Sequence, residues 1–268
     1  IGIRGDYVRV EDNYFFNIGG TAAIKSYWAV DKNARASFAS IVNNRIYKCQ
    51  YGIVVEGDNW LVENNNIERL IKYTYNQNDD ADYIRFFGEG HVMRNNYLHD
   101  TFPEDINVAH VDCFQTYDNN GRYTKDVVIE NNICIDFMQG FMGEAFYNNN
   151  SSNIIFRRNI FSGGRLPASG MIVKDIPGVI VVHNIFLDID NGGSGVAFSP
   201  DRNNLTKQGR ILNNIFYKVA QKMPGDSFNV SYSYKNPAVD HTLHYDDYNL
   251  LAFTKPPYRE GDWPAIQH

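Results

Sequence analysis

An all-β repeat structure is the fold class this sequence predicts, and three observations carry it. Asn makes up 32 of 268 residues, far more than a helical protein tolerates, because Asn favours turns and left-handed backbone. The pattern Asn-x-apolar recurs with Asn at 13, 44, 65, 96, 132, 159, 184, 214 and 249. The intervals are 31, 21, 31, 36, 27, 25, 30 and 35 residues, so loops of variable length are inserted on a fixed unit. Each interval also has one internal order: an alternating strand before the Asn ("WLVEN", "DVVIEN"), a second strand after it ("ICIDF", "IFLDI"), and a third beyond a loop ("YGIVVEG", "HVDCFQTY"). Three short strands per repeat describe one coil of a single-stranded, right-handed parallel β-helix.

The elements follow in order. Apolar residues at every second strand position point inward. The Asn sits at the sharp turn between the first and second strands. Its amide can bond the Asn of the coils above and below, which gives an Asn ladder. About nine coils at ~4.8 Å each give a rod on the order of 40 Å long. Residues 1–252 read as this solenoid. Residues 253–268 read as a tail with two adjacent prolines and an Asp-capped helix start. The first residues lie already in a strand pattern, and the last stop within a helix start. The expectation is a processed chain or a fragment lacking both natural ends.

Composition narrows the function classes. Hydrophobic residues are 43% of the chain and net charge is −6, which excludes a disordered chain and argues against general nucleic-acid binding. No apolar run reaches the length of a membrane span. The three cysteines, Cys49, Cys113 and Cys134, are odd in number and irregularly spaced. They read as buried free thiols rather than a disulfide framework or a zinc site. The alternation suggests no outward apolar face running the length of the rod.

On the Asn ladder, residues 1 to about 252 resemble the right-handed parallel β-helix (pectate-lyase-like) superfamily, which includes polysaccharide lyases and glycoside hydrolases. The resemblance implies a polysaccharide partner, a site on the outer face of the third strands, and a secreted, periplasmic or cell-surface location. It does not carry an activity. His110-x-Asp112-x-x-Gln115 also resembles a motif of bacterial β-helix proteins found near carbohydrate-active enzymes, with no mechanism attached.

The third strands hold the candidate site. "DADYIRFFG" predicts Ile84 and Phe86 inward, with Tyr83, Arg85 and Phe87 outward. "AHVDCFQTY" predicts Val111 and Cys113 inward, with His110, Asp112 and Phe114 outward. In the expected register Glu144 stands beside Asp112 and Lys174 near the same row, so Arg85, Asp112 and Glu144 become neighbours. Long insertions at 71–81, 99–109 and 118–125 flank this region, where function concentrates on a repeat scaffold.

Two mechanisms fit these residues, and β-elimination is the expected one because a basic group adjoins the carboxylates. In β-elimination on a uronate-containing polysaccharide, His110 serves as base. Arg85 or Lys174 neutralises the uronate or takes its proton, and Asp112 with Glu144 holds Ca2+ through oxygen. In a glycoside hydrolase, Asp112 and Glu144 are the carboxylate pair. Gln115, Tyr83, Phe114, Tyr117, Phe141 and Tyr147 are the expected sugar-binding residues, most of them aromatic faces for stacking. A non-catalytic glycan-binding rod, such as a phage tail spike, is the remaining class. Asp79, Asp80 and Asp82 read as a polar loop able to ligate Ca2+, but more simply as a solvated one. His91, the pair His99–Asp100, and Asp201–Arg202 rank lower.

Overall fold

The computed structural model describes residues 1–73, 80–107, 109–145, 150–189, 195–198, 209–219, 230–232, 245–247 and 250–252, the last three stretches as backbone pairing only. The predicted tail 253–268, the expected ladder residue Asn249, Tyr147 and the pair Asp201–Arg202 lie outside the described residues. Every described strand pairing is parallel, and each strand pairs with its counterpart in the next coil. The one described α-helix is a single turn, Pro103–Ile106.

The Asn turn uses two residues. The residue before the ladder position takes left-handed backbone: Asp12, Asn43, Asn64, Asn95, Asn131, Arg158, His183 and Asn213 all have φ between 52° and 57°. Asn and Asp tolerate this conformation best, which explains the recurrent "NN". The second residue is buried and bonds along the rod. Asn44 donates from Nδ2 to Asn65 Oδ1 at 3.0 Å, Asn65 to Asn96 at 3.0 Å, and Asn96 to Asn132 at 2.9 Å. Asn132, Asn159 and Asn184 continue the series to Asn214. Each also meets main-chain groups, as Asn132 does with Met93 O at 3.0 Å. The turns therefore bury their polar groups without leaving them unpaired.

The core is a file of stacked apolar side chains. Phe161, Phe186 and Phe216 stack with centroids 5.4 and 4.8 Å apart. Ile84, Phe114, Phe141 and Met171 form one inward row. Cysteine usage departs from the free-thiol expectation. Cys113 and Cys134 form a disulfide across the coil, and Cys49 alone is free and buried. An odd count leaves a pair possible, and 21 residues is one short coil, so the two strands meet inside.

Candidate functional site

Register decides which predicted residues meet. Asp112 lies opposite Asp82 on one side and Gln139 on the other. Arg85 lies opposite Gln115, and Glu144 opposite Tyr117 and Lys174. The expected row of Arg85, Asp112 and Glu144 is therefore not formed. Asp112 and the strand partner of Glu144 are five residues apart, about 16 Å of strand at ~3.3 Å per residue. The two cannot hold one cation or act as one carboxylate pair. Glu144 instead receives a 2.6 Å hydrogen bond from Lys174 Nζ, and that pair stands apart from Asp112.

Several expected sugar-binding aromatics are core. Tyr83 is fully buried, with its hydroxyl 2.6 Å from Thr101 Oγ1. Phe114 and Phe141 fill the inward row. Alternation breaks at Tyr83–Ile84 and again at Cys113–Phe114, where two successive residues turn inward. Phe87 is also buried and meets the Tyr117 ring edge-on at 4.8 Å. Tyr117 remains partly exposed, its hydroxyl 3.5 Å from Arg85 Nη1.

Around Asp112 the structure builds a polar cluster that the sequence reading only half assembled. Asp82, placed there in a loop, is the second residue of the strand Ala81–Glu89 and is fully buried, as is Asp112. Arg85 Nε donates to Asp82 Oδ2 at 2.6 Å, and its Nη2 to Asp80 Oδ2 at 3.1 Å. The guanidinium also lies 4.7 Å over the Tyr51 ring. Gln115 Nε2 donates to Asp112 Oδ2 at 2.9 Å and to Asp80 Oδ2 at 3.1 Å. His110 is exposed, with Nδ1 4.0 Å from Asp80 Oδ1. The signal for Asp82 was present in the sequence: "ADYIR" and "VDCFQ" align Asp82 with Asp112 once the loops are ignored.

Electrostatics makes the pair unusual. Burial, then the charges of Asp82 and Asp80, push the Asp112 carboxyl well above its ordinary range. Burial raises Asp82 to about 7, with Arg85 pulling it down and Asp80 adding to the rise. One guanidinium cannot offset three neighbouring carboxylates, so the buried pair retains a proton near neutrality. Among the described residues Asp112 has no cationic hydrogen-bond partner, so it is the better holder of that proton. Four buried oxygens on this patch, Asp82 Oδ1, Asp112 Oδ1, Gln115 Oε1 and Gln139 Oε1, find no hydrogen-bond partner among the described residues. Buried polar atoms are seldom left so.

His91 and His99 are structural. His91 is buried, its Nδ1 accepting from Trp60 N at 3.2 Å and its Nε2 bonding Phe87 O at 3.0 Å. Burial lowers it to about 4, so it is neutral. His99 bridges Asp100 and Asn66 at 2.8 Å each. Among the described residues, no group of three or more His, Cys, Asp or Glu is arranged to hold a metal ion. Among the same residues, no helix is long and apolar enough to cross a membrane.

No family model and no curated protein matches this chain. Solved structures do. A surface adhesin of Streptococcus pneumoniae, PfbA, aligns over 85% of this chain and 61% of its own, with TM-score 0.54 and 13% identity. The tailspike gp49 of Acinetobacter baumannii bacteriophage Fri1, a capsular polysaccharide depolymerase, aligns over 95% of this chain and 48% of its own, at 0.54 and 14%. The A-module of an Azotobacter vinelandii mannuronan C-5 epimerase aligns over 94% and 75%, at 0.53 and 10%. The chain thus spans about half to three-quarters of the length of these proteins. At such identities the likeness carries the fold, and the chain is a right-handed parallel β-helix.

Proposed function

We propose that this β-helix cleaves an extracellular polysaccharide by glycoside hydrolysis, with Asp112 as proton donor and Asp82 as the ionised carboxylate. The carrying observation is the buried pair on adjacent coils, raised in pKa and fringed by oxygens without partners. An acid kept protonated near neutral pH can protonate a leaving glycosidic oxygen as its bond to the anomeric carbon breaks. The Asp82 carboxylate stabilises or bonds that carbon, and water then releases the sugar. Neighbouring parallel strands stand ~4.8 Å apart, nearer the ~5–5.5 Å carboxyl spacing of retaining enzymes than the ~6.5–9.5 Å of inverting ones. Sugar hydroxyls would displace the Gln115 amide now bonded to Asp112 and the Arg85 guanidinium now bonded to Asp82. Two of the structural neighbours, by their descriptions, act on or modify polysaccharides. The Cys113–Cys134 disulfide suits a compartment outside the cytosol.

β-Elimination is the second reading, favoured by exposed His110 beside Asp80 as a base. Its weakness is charge: Arg85 is already held by Asp80 and Asp82, so a uronate would meet a carboxylate cluster. A bridging Ca2+ on Asp80 and the substrate would be needed. A polysaccharide panel, read by reducing ends and by absorbance of unsaturated uronates with and without EDTA, separates these outcomes. Hydrolysis predicts reducing ends without unsaturated product, insensitive to EDTA and lost in Asp112→Asn. Unsaturated product lost in His110→Ala would replace it with elimination. Binding without cleavage would leave a glycan-binding rod.

A further inference from the structure

We propose that Asp80 is a positioning residue for the Asp82–Asp112 pair: one of its carboxylate oxygens holds both side chains that bond the pair, Arg85 and Gln115. The inference rests on the hydrolytic reading of that pair and adds what fixes its partners in place. Asp80 Oδ2 accepts from Arg85 Nη2 at 3.1 Å and from Gln115 Nε2 at 3.1 Å. Each of these side chains also reaches one member of the pair. Arg85 Nε donates to Asp82 Oδ2 at 2.6 Å, and Gln115 Nε2 to Asp112 Oδ2 at 2.9 Å. Arg85 and Gln115 are themselves register partners on neighbouring coils. A single oxygen therefore ties together the two side chains that serve the two carboxyls.

The local sequence puts Asp80 there. In Asp80-Ala81-Asp82 the alternation turns Ala81 inward, where it is fully buried, and sets both aspartates on the other face. The backbone is held from the coils on either side. Gln50 Nε2 donates to Asp80 O at 3.2 Å, and Ala81 N donates to His110 O at 2.8 Å. The rings of Tyr51 and Tyr117 lie 4.7 and 5.4 Å from the Arg85 guanidinium. Exposure falls stepwise inward: the Asp80 side chain is 29% exposed and that of Arg85 14%, while Gln115, Asp82 and Asp112 are buried. The other Asp80 oxygen faces exposed His110, 4.0 Å from its Nδ1. Solvent or a ligand thus meets Asp80 before it meets the pair.

Asp80 acts in two ways. As an acceptor it fixes the Gln115 amide and the guanidinium, so an entering sugar exchanges formed bonds instead of ordering loose side chains. As a charge it draws on Arg85, the cation that also serves Asp82. Burial is the largest cause of the raised Asp82 and Asp112 carboxyls, and the Asp80 charge adds to the rise in both. Asp80→Asn separates the two effects, because an amide oxygen still accepts hydrogen bonds but carries no charge.

NMR of the full chain reads both effects without a substrate. In Asp80→Ala, exchange of the Gln115 side-chain amide and of Arg85 Nε–H with water should speed up about tenfold or more. The backbone amides of the register partners Ile84 and Phe114 should keep their rates. Asp80→Asn should retain part of the side-chain protection. In both variants the Asp112 carboxyl, followed by carbon-13, should titrate lower than in wild type. If circular dichroism shows that Asp80→Ala fails to fold, Asp80→Ser, too short to reach both donors, takes its place. Unchanged side-chain exchange in Asp80→Ala, equal exchange in the two variants, or an Asp112 midpoint that moves in neither would overturn the proposal. Cleavage that survives in Asp112→Asn overturns the hydrolytic reading and this inference with it. Cleavage lost in Asp112→Asn, with side-chain exchange unchanged in Asp80→Ala, overturns the role of Asp80 alone.

Discussion

Two carboxyl groups one coil apart, beneath a cover of side chains, cannot both ionise at neutral pH when, among the described residues, Arg85 alone offsets them. That has a consequence for stability. Asp82 and Asp112 are raised in the folded chain above the ordinary unfolded value near ~4. The folded state therefore binds more protons than the unfolded state above that pH. Stability from this pair is full below ~4 and falls as pH rises through the folded value, about 7 for Asp82. The melting temperature of wild type should decline between about pH 4.5 and 7.5 more steeply than that of Asp112→Asn. Equal slopes would count against a coupled pair. In a cleavage assay Asp112→Asn should lose about 100-fold or more in kcat, the scale of general-acid catalysis. The ladder gives a contrasting case. Asn132→Ala removes the acceptor of both Asn96 N and Asn96 Nδ2 at 2.9 Å. It should cost about 2–4 kcal/mol in urea unfolding, because two buried donors are left unpaired.

At the scale of strands, the sequence told what repeats but not what aligns. Asn-x-apolar gave the turn, the strand order and the inward alternation of Ile84, Phe86 and Val111, because turn chemistry and period-two patterning are local. The register between third strands depends on loop lengths that vary from coil to coil. A shift of a few residues moved Glu144 away from Asp112 and brought Asp82 in. The double inward step at Tyr83–Ile84 and Cys113–Phe114 likewise depends on tertiary packing, which turned expected sugar platforms into core. The Cys113–Cys134 bond fixes the residue next to Asp112 to the following strand, Ile133–Ile135. Replacing both cysteines by serine should lower stability by about 3 kcal/mol on chain-entropy grounds. A loss of cleavage exceeding the loss of folded protein would show that the bond also positions Asp112.

The whole molecule is a rod in which one rule, repetition, serves separate ends. Stacked amides and phenylalanines hold the coils together from within. The third strands carry the carboxylate pair on neighbouring coils. The account stands or falls on that pair, and its protonation can be measured without a known substrate. Carbon-13 NMR titration of aspartate carboxyls, with Asp112 assigned through Asp112→Asn, reads it directly. The account predicts an Asp112 carboxyl that titrates well above the ordinary aspartate range, and lower once Asp82→Asn removes its neighbour. An Asp112 that titrates near ~4, unmoved by Asp82→Asn, would contradict it.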